Sequence, residues 1–484
     1  MALTTVEIAA SAALVGRAKG KAAPMLFNSF EFLLGFLPAA LVIYTFVDRR
    51  VPRARMPVLV ALSLMFYAYW NPRFLALIIL SILGNWLAAL LYEWTKLGIV
   101  ITAAICGNLA VLGFFKYSGF IAQNVEAATG VTFYYWHYAL PLGISFFTFH
   151  HIMYLVDLKR GRAPIYPLNR YALYICFFPQ SIAGPLARWN EVMHQFGQPA
   201  FDRGWEPRVA EGILFIVLGL AEKILLADPL AAALDPIYAS AANGYLTGVE
   251  AWNALGFGFQ VFFDFAGYSD IAIGLGLIFG VQLPRNFDAP FQSTSILDFW
   301  QRWHMTLARF LRDYVFTPLS KVRIGGPNLR WLRMLAALLV TMALCGLWHG
   351  AGWTYVFWGA LQGVALVFAA VWRRFLPSPP MLVGWAATTA FFLVTAVIFR
   401  APTIDAAWHV LASLPAPPGL ELTGSHPGLL AAFCAIIVPA SHRIVSLAMK
   451  TPRASIAYGA AVLGAYCLLE IGQGAPINFI YFQF

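Results

Sequence analysis

The sequence predicts an all-α membrane protein that crosses the bilayer many times. Of its 484 residues, 60% are hydrophobic and only 11% are charged, whereas an ordinary soluble domain has about 25% charged residues. The apolar residues form a series of runs about 20 residues long, the length that an α-helix needs to cross the hydrocarbon core. A soluble fold could not bury so much apolar surface, so secreted enzymes, nucleic-acid binders and disordered scaffolds are excluded.

About twelve apolar segments are the candidate transmembrane helices. They lie near residues 30–47, 57–70, 74–94, 97–117, 139–157, 210–228, 251–281, 332–348, 352–372, 381–399, 428–445 and 455–472. We expect re-entrant or tilted helices near 171–186 and 287–320. The segment 251–281 is rich in glycine, including Gly267 and Gly274. Because small residues let membrane helices approach closely, we interpret these glycines as packing positions.

The basic loops predict the orientation in the membrane. Lys and Arg cluster in the loops 48–55, 159–170, 309–333, 373–374 and 443–453. Neither residue occurs in the loops 119–138, 229–250 and 401–427. Since basic residues stay in cytoplasmic loops, the first set is predicted to be cytoplasmic and the second external. The net charge of +10 is therefore a signal of membrane topology rather than of nucleic-acid binding, and twelve spans place both termini outside.

Residues 1–24 depart from this pattern. Their apolar run, near 6–15, is too short to cross a bilayer, and the basic residues follow it, which is the reverse of a signal peptide. We interpret 1–24 as an N-terminal extension or a mis-assigned start, and 25–484 as a single integral membrane domain. The five cysteines occur singly, and no His or Cys spacing predicts a disulfide framework or a metal site.

Polar residues at membrane depth are costly and are therefore candidates for function. The segment 298–313 has the periodicity of one amphipathic helix, with Arg302, Arg309 and Arg312 on its polar face. His304 lies on the flank of the apolar face, where a surface helix seldom has an imidazole. A histidine bonded to a nearby carbonyl is the alternative for His304, and simple contact with lipid phosphates is the alternative for the arginines.

A second polar region, 345–359, lies between two strongly apolar segments. His349 is surrounded there by glycines and by three tryptophans. Glycine permits a broken helix and close approach of a ligand, and an imidazole suits proton transfer near neutral pH. An interfacial histidine in a tight turn fits these residues equally well. Asp264 and Asp270 also lie inside a predicted span, where they need a partner such as Arg302 or His304, or a watery cavity.

Six motifs in the same order resemble the membrane-bound O-acyltransferase family, and specifically its bacterial alginate O-acetyltransferase branch. They are Met25-Leu-Phe-Asn-Ser-Phe, Phe178-Pro-Gln-Ser-Ile-Ala-Gly-Pro185, Phe263-Asp-Phe-Ala-Gly-Tyr-Ser-Asp270, Asn286-Phe-Asp-Ala-Pro-Phe followed by Phe299-Trp-Gln-Arg-Trp-His304, Leu347-Trp-His-Gly-Ala-Gly-Trp353 and Phe479-Ile-Tyr-Phe-Gln-Phe484. The resemblance covers residues 25–484, and the number and length of the motifs make it specific.

The resemblance implies a ring of helices around a thinned centre, with a tunnel that leads from the cytoplasm to the catalytic histidine. His349 matches that histidine, and His304 matches the family's second functional histidine. The donor implied is a thioester, acetyl-coenzyme A, with no resident cofactor and no metal. We expect the donor's phosphates to meet the basic face that contains Arg302, Arg309 and Arg312.

The function predicted from the resemblance is transfer of an acetyl group across a bacterial inner membrane for O-acetylation of an alginate-like or cellulose-like exopolysaccharide. The implied partners are membrane lipids, a periplasmic or membrane-anchored acetyl-transfer protein and the polysaccharide synthesis machinery. From the residues alone, a secondary transporter is the first alternative, because transporters also use broken helices and intramembrane His and Asp. A non-catalytic export scaffold is the second alternative.

Overall fold

The structure, a computed structural model, describes residues 25–132, 140–322, 329–415, 427–473, 477, 479 and 480. All regular secondary structure within these residues is helical, which confirms the predicted all-α class. The predicted extension 1–24 lies outside the described residues.

The first half of the chain forms twelve α-helices and two π-helical segments, one before the first α-helix and one between the ninth and the tenth. The π-helices are Glu31–Phe36 and Glu222–Ala227. The α-helices are α1 Leu37–Arg50, α2 Arg55–Trp70, α3 Leu75–Thr95, α4 Gly98–Thr129, α5 Ile144–Lys159, α6 Leu168–Cys176, α7 Phe178–Ser181, α8 Trp189–Val192, α9 Glu206–Ala221, α10 Asp228–Ala242, α11 Gly248–Ala254 and α12 Phe257–Ile278.

The second half begins with short pieces and continues with long helices. A third π-helix, Leu311–Phe316, lies between α14 and α15. The α-helices are α13 Ile296–Arg302, α14 Met305–Phe310, α15 Thr317–Ser320, α16 Arg330–His349, α17 Trp353–Phe375, α18 Met381–Arg400, α19 Ile404–Ser413, α20 Pro427–Ile437, α21 Ser441–Lys450 and α22 Ala454–Gln473.

Multiple passes through the membrane are confirmed, but the count of twelve is not. Within the described ranges, eight helices are long and apolar enough to cross a bilayer, or nine if the bent pair α20–α21 is one span. The predicted spans at α2 and α5 have 16 residues each, about 24 Å at 1.5 Å per residue, which is less than a hydrocarbon core of about 30 Å. Short helices occupy the two regions predicted to be re-entrant or tilted.

Helix α12 forms the centre of the molecule, and every one of its residues is buried. It packs on α9 through facing glycines, and a Cβ added to Gly267 would lie 2.6 Å from the carbonyl oxygen of Gly219. Gly274 faces Gly212 in the same way. The interpretation of these glycines as packing positions is therefore confirmed, and their close approach aligns the polar side chains that α12 carries.

Helices α16 and α17 form a tight hairpin that ends at the candidate site. A Cβ on Gly346 would overlap the carbonyl oxygen of Tyr355, and Gly359 approaches Gly346 from the facing helix. Glycine at these positions lets the two backbones touch, which fixes the end of α16 against the start of α17. His349 is the last residue of α16 and is held by this contact.

Candidate active site

His349 lies where α16 stops, in the wall of a cavity. The backbone becomes extended at Gly350, and a Cβ on that residue would overlap the Tyr355 side chain, so glycine leaves room for the turn. The cavity has about 530 Å³ of empty space and is also lined by Trp70, Lys116 and Gly143. His349 is only 5% exposed, so the cavity is the direction from which a reactant can approach it.

Aromatic side chains enclose the His349 imidazole on its other sides. Its centroid lies 4.7 Å from that of Trp348, 5.4 Å from Trp358 and 5.2 Å from Phe399. Two of the three predicted tryptophans thus contribute to the wall. Trp353 does not, because it is 58% exposed and donates a hydrogen bond to Asn124. The aromatic side chains exclude water from the imidazole and strengthen electrostatic interactions within the site.

His304 lies at a break in the segment predicted to be one amphipathic helix. Helix α13 ends at Arg302, α14 begins at Met305, and His304 between them has a left-handed φ of 40°. The preceding loop stabilises the break, since the carbonyl of Asn286 accepts a hydrogen bond from the Met305 amide and the Asp288 amide donates to the Arg302 carbonyl. The prediction of a continuous helix is therefore wrong.

The Asn286 side chain fixes the His304 ring. Its Oδ1 accepts a hydrogen bond from the hydroxyl of Thr306 at 2.8 Å and lies 3.0 Å from Nδ1 of His304, while its Nδ2 donates to Ser269. Because Oδ1 is an acceptor, Nδ1 of His304 carries the proton and Nε2 is the basic nitrogen. His304 is fully buried, so this tautomer is held in a defined orientation.

The structure brings the two predicted histidines to the same tryptophan. The Trp348 side chain contacts His349 at 4.7 Å and His304 at 6.3 Å between centroids. The two imidazoles are also close enough to interact electrostatically. Two nitrogen bases, one at the end of α16 and one at the break between α13 and α14, therefore border one small apolar site, an arrangement suited to general acid–base or nucleophilic chemistry.

Helix α4 contributes two residues that sequence reasoning missed. Nζ of Lys116 donates hydrogen bonds to the carbonyls of Trp348 and, at 3.2 Å, His349. The hydroxyl of Tyr117 donates to the Leu347 carbonyl at 2.9 Å. The last carbonyls of an α-helix have no partner within the helix, and these donors satisfy them. The signal in the sequence was a single lysine within an apolar span.

Each predicted donor-binding arginine has an acidic partner within the chain. Arg302 pairs with Asp298 at 2.8 Å, as its spacing predicts, whereas Arg309 pairs with Glu191 at 2.6 Å. Arg312 is 61% exposed at its side chain and bonds to Asp313. Burial acts to raise the pKa of Asp313, but hydrogen bonds from Arg312 and Arg188 outweigh it and lower that pKa. These arginines therefore cross-link the segment, and Arg312 is the most accessible of the three predicted donor-binding residues.

The two acidic residues of α12 differ in their surroundings, Asp264 having a basic partner and Asp270 a place in a cavity wall. Asp264 pairs with Lys223 at 2.6 Å and accepts a hydrogen bond from the Ile480 amide at 2.7 Å. Its predicted pairing with Arg302 or His304 is wrong, because the sequence pattern did not reveal a lysine on the neighbouring helix. Asp270 lines a separate cavity.

Comparison with known proteins decides the family. Residues 87–401 match the membrane-bound O-acyltransferase (MBOAT) family. The chain belongs to this family. As an MBOAT protein it is an O-acyltransferase.

Two relatives resemble most of the chain, and a third resembles about half of it. The peptidoglycan O-acetyltransferase of Helicobacter pylori is 34% identical over 434 residues, which is 82% of this chain and 81% of the relative. A probable alginate O-acetylase, AlgI, of Azotobacter vinelandii is 35% identical over 408 residues, or 81% of this chain and 78% of the relative. The teichoic acid D-alanyltransferase of Streptococcus thermophilus is 30% identical over 240 residues, covering 48% of this chain and 57% of that protein.

Proposed function

We propose that this MBOAT protein transfers an acetyl group from a cytoplasmic thioester, acetyl-coenzyme A, to an acceptor hydroxyl on the other side of the bacterial inner membrane. One observation carries the proposal: His349 and His304 border the same tryptophan in a buried site reached from a cavity. The basic loops support a cytoplasmic donor, because basic residues concentrate on the cytoplasmic side of membrane proteins.

In the proposed reaction, His349 is the general base. It accepts the proton of the acceptor hydroxyl while that oxygen attacks the carbonyl carbon of the thioester. The carbon–sulfur bond then breaks, an ester forms, and the thiolate takes the proton from the imidazolium to leave as a free thiol. The aromatic enclosure keeps water from competing for the acetyl group, and general base catalysis contributes roughly 10²- to 10⁴-fold to the rate.

His304 orients the donor in this mechanism. Its Nδ1 is held by Asn286, so Nε2 has a fixed direction and serves as a second acid–base group.

A direct attack by His349 on the thioester would instead give an acetyl-imidazole on the protein. Radioactive acetyl retained by denatured wild-type protein but not by His349→Ala would assign this covalent mechanism in place of general base catalysis.

The acceptor that we propose is an exopolysaccharide of the alginate or cellulose type, reached through a periplasmic or membrane-anchored acetyl-transfer protein. The identity to a probable alginate O-acetylase supports this acceptor. Peptidoglycan is the second candidate acceptor, which the similarly extensive identity to the Helicobacter pylori peptidoglycan O-acetyltransferase favours. Acetyl analysis of both polymers from a deletion strain would distinguish them, because only the true acceptor would lose its esters.

The first test of the proposed function is His349→Ala in the native host. We expect the ester-linked acetyl content of the acceptor polymer to fall to the level of a gene deletion, while the protein still accumulates in the membrane. His194→Ala is the matched control, since His194 is exposed and lies outside the site. If the polymer from the His349→Ala strain carried as much acetyl as that from wild type, His349 would have no part in the chemistry.

A further inference from the structure

A second cavity lies among α9, the π-helix Glu222–Ala227, α12 and the bent pair α20–α21. It encloses about 1050 Å³ of empty space and shares none of its lining residues with the cavity at His349. Most of its wall is apolar, with leucine and phenylalanine side chains. Two carboxylic acids, Glu222 and Asp270, are also part of the wall. Acidic side chains in such surroundings are expensive and indicate a function.

The two acids come from helices that touch. Glu222 follows the last residue of α9 and lies opposite Gly267, where an added Cβ would be 3.3 Å from the Glu222 Cβ. Asp270 is about one turn farther along α12. It lies about 12 Å from the end of α12 at Ile278, well within the length of the span Gly248–Ile278. The close glycine packing thus brings two carboxyl groups together at membrane depth.

Each of the two acids has one oxygen atom without a partner. Oε2 of Glu222 and Oδ2 of Asp270 are buried and accept no hydrogen bond from any part of the chain that the structure describes. Asp270 is only 8% exposed, and Ser441 lies in the wall of the same cavity. The two acids repel each other electrostatically, so ionisation of both would place two uncompensated negative charges in an apolar wall.

The nearby ammonium group of Lys223 is already paired with two other acids. Nζ of Lys223 pairs with Asp228 at 2.7 Å and with Asp264 at 2.6 Å, and Lys223 is 1% exposed. One lysine cannot also neutralise Glu222 and Asp270. Cys434 of α20 also lines the cavity and provides no positive charge. On α21, His442 and Arg443 lie 3.6 Å and 2.8 Å from Asp288, and Arg208 of α9 donates a hydrogen bond to the carbonyl of Ile278 at 3.3 Å.

We propose that Glu222 and Asp270 form an intramembrane proton-binding site, in which the pair takes one proton from water and shares it at neutral pH. A buried carboxylate costs several kcal/mol in desolvation, and two neighbouring carboxyls relieve their repulsion when one is protonated. Within the described ranges, no group of three His, Cys, Asp or Glu side chains is placed to hold a metal ion. A metal ion needs more ligands than these two carboxyl groups provide, whereas a proton needs only one or two oxygen atoms.

The bound proton has a structural consequence for the bent helix pair. Helices α20 and α21 meet at 61°, and Ser441 at the first position of α21 lines the same cavity as Asp270. A shared proton lets this bend pack against α12 while the pair buries one negative charge instead of two. The proton-binding site thus holds α20 and α21 on the central helix, apart from the histidines that carry out acyl transfer.

Infrared spectroscopy of the full-length protein in lipid bilayers tests the site without any assay of acyl transfer. At neutral pH we expect the carbonyl absorption band of a protonated carboxylic acid. This band should move to lower frequency in D₂O and should disappear as the pH is raised. The double variant Glu222→Gln with Asp270→Asn should remove this band, because no acid is left in the cavity wall. Each single variant should shift its frequency and its pH midpoint, because the remaining acid no longer has a partner with which to share the proton. Glu206→Gln is the matched control. Glu206 is an exposed acid at the first position of α9, the helix that ends just before Glu222.

Several results would overturn the proton-binding site. Wild-type protein without a protonated-carboxyl band at neutral pH would do so, as would a band that the double variant retains or that neither single variant shifts. A band that appears only when choline replaces Na⁺ and K⁺ would show that the pair holds a metal cation instead. The pH titration uses wild-type protein alone, so poor folding of a variant would still leave the proposal testable.

Discussion

Lys116 is a charged residue whose role depends on backbone atoms rather than on an acid. It reaches from α4 to the carbonyls of Trp348 and His349, at the point where α16 ends. A cation near a helix C-terminus also interacts favourably with the helix dipole. Because His349 is the last residue of that helix, the lysine holds the imidazole in position through its own backbone.

Removal of this cap gives a prediction at the scale of one residue. Lys116→Met should lower the free energy of unfolding by about 1–3 kcal/mol, because buried acceptors lose their charged donor. It should also reduce acyl transfer, since a displaced base loses its alignment. Thermal unfolding and an acetylation assay in detergent or bilayers measure the two effects.

Lys96→Met is the matched control for Lys116. Lys96 ends α3 on the surface and is 65% exposed at its side chain, so its replacement should change stability by less than about 0.5 kcal/mol. Equal unfolding curves for the two variants would contradict the capping role of Lys116.

At the scale of elements, the hairpin of α16 and α17 depends on backbone contact. Gly346 and Gly359 leave no space for a side chain between the two helices. The packing of membrane helices gains little from the hydrophobic effect and depends on such close fit. The position of His349 relative to Trp358 is therefore set by the fit between two helices.

Gly346→Ala tests this fit. Its Cβ would overlap the carbonyl of Tyr355, so we expect the helices to separate, with a loss of roughly 1–3 kcal/mol in stability and a strong loss of acetylation. Gly113→Ala is the control, because that glycine lies within α4 with nothing within 4 Å of an added Cβ. There the exchange should be neutral or stabilise by up to about 1 kcal/mol. Similar behaviour of the two variants would contradict the contact.

The elements also show what the sequence could predict and what it could not. The glycines of α12 were interpreted correctly, because small residues in an apolar run act through local geometry. The break at His304 was missed because it depends on hydrogen bonds from Asn286, which a periodicity pattern does not contain. The partner of Asp264 was also missed, because a sequence pattern does not show which basic residue a neighbouring helix brings to a carboxylate. The motifs named His304 and His349, but only the structure relates both to Trp348.

At the scale of the whole molecule, α12 separates two polar centres within one membrane domain. On one side Phe265 of α12 contacts His304 at 4.6 Å between ring centroids. His304 in turn borders the site of His349, which lines the first cavity. On another side Asp270 and Glu222 line the second cavity. Because α12 is buried along its whole length, it provides a rigid support for the acyl-transfer site and for the proton-binding site.

The most direct test of the account is thiol release from acetyl-coenzyme A by the purified protein in oriented vesicles, with acceptor polymer and transfer partner on the opposite side. We predict that wild-type protein releases free thiol only when the donor is on the face with the basic loops, and that His349→Gln lowers this rate by at least about 100-fold. Equal rates for wild type and His349→Gln, or equal rates with the donor on either face, would contradict the account.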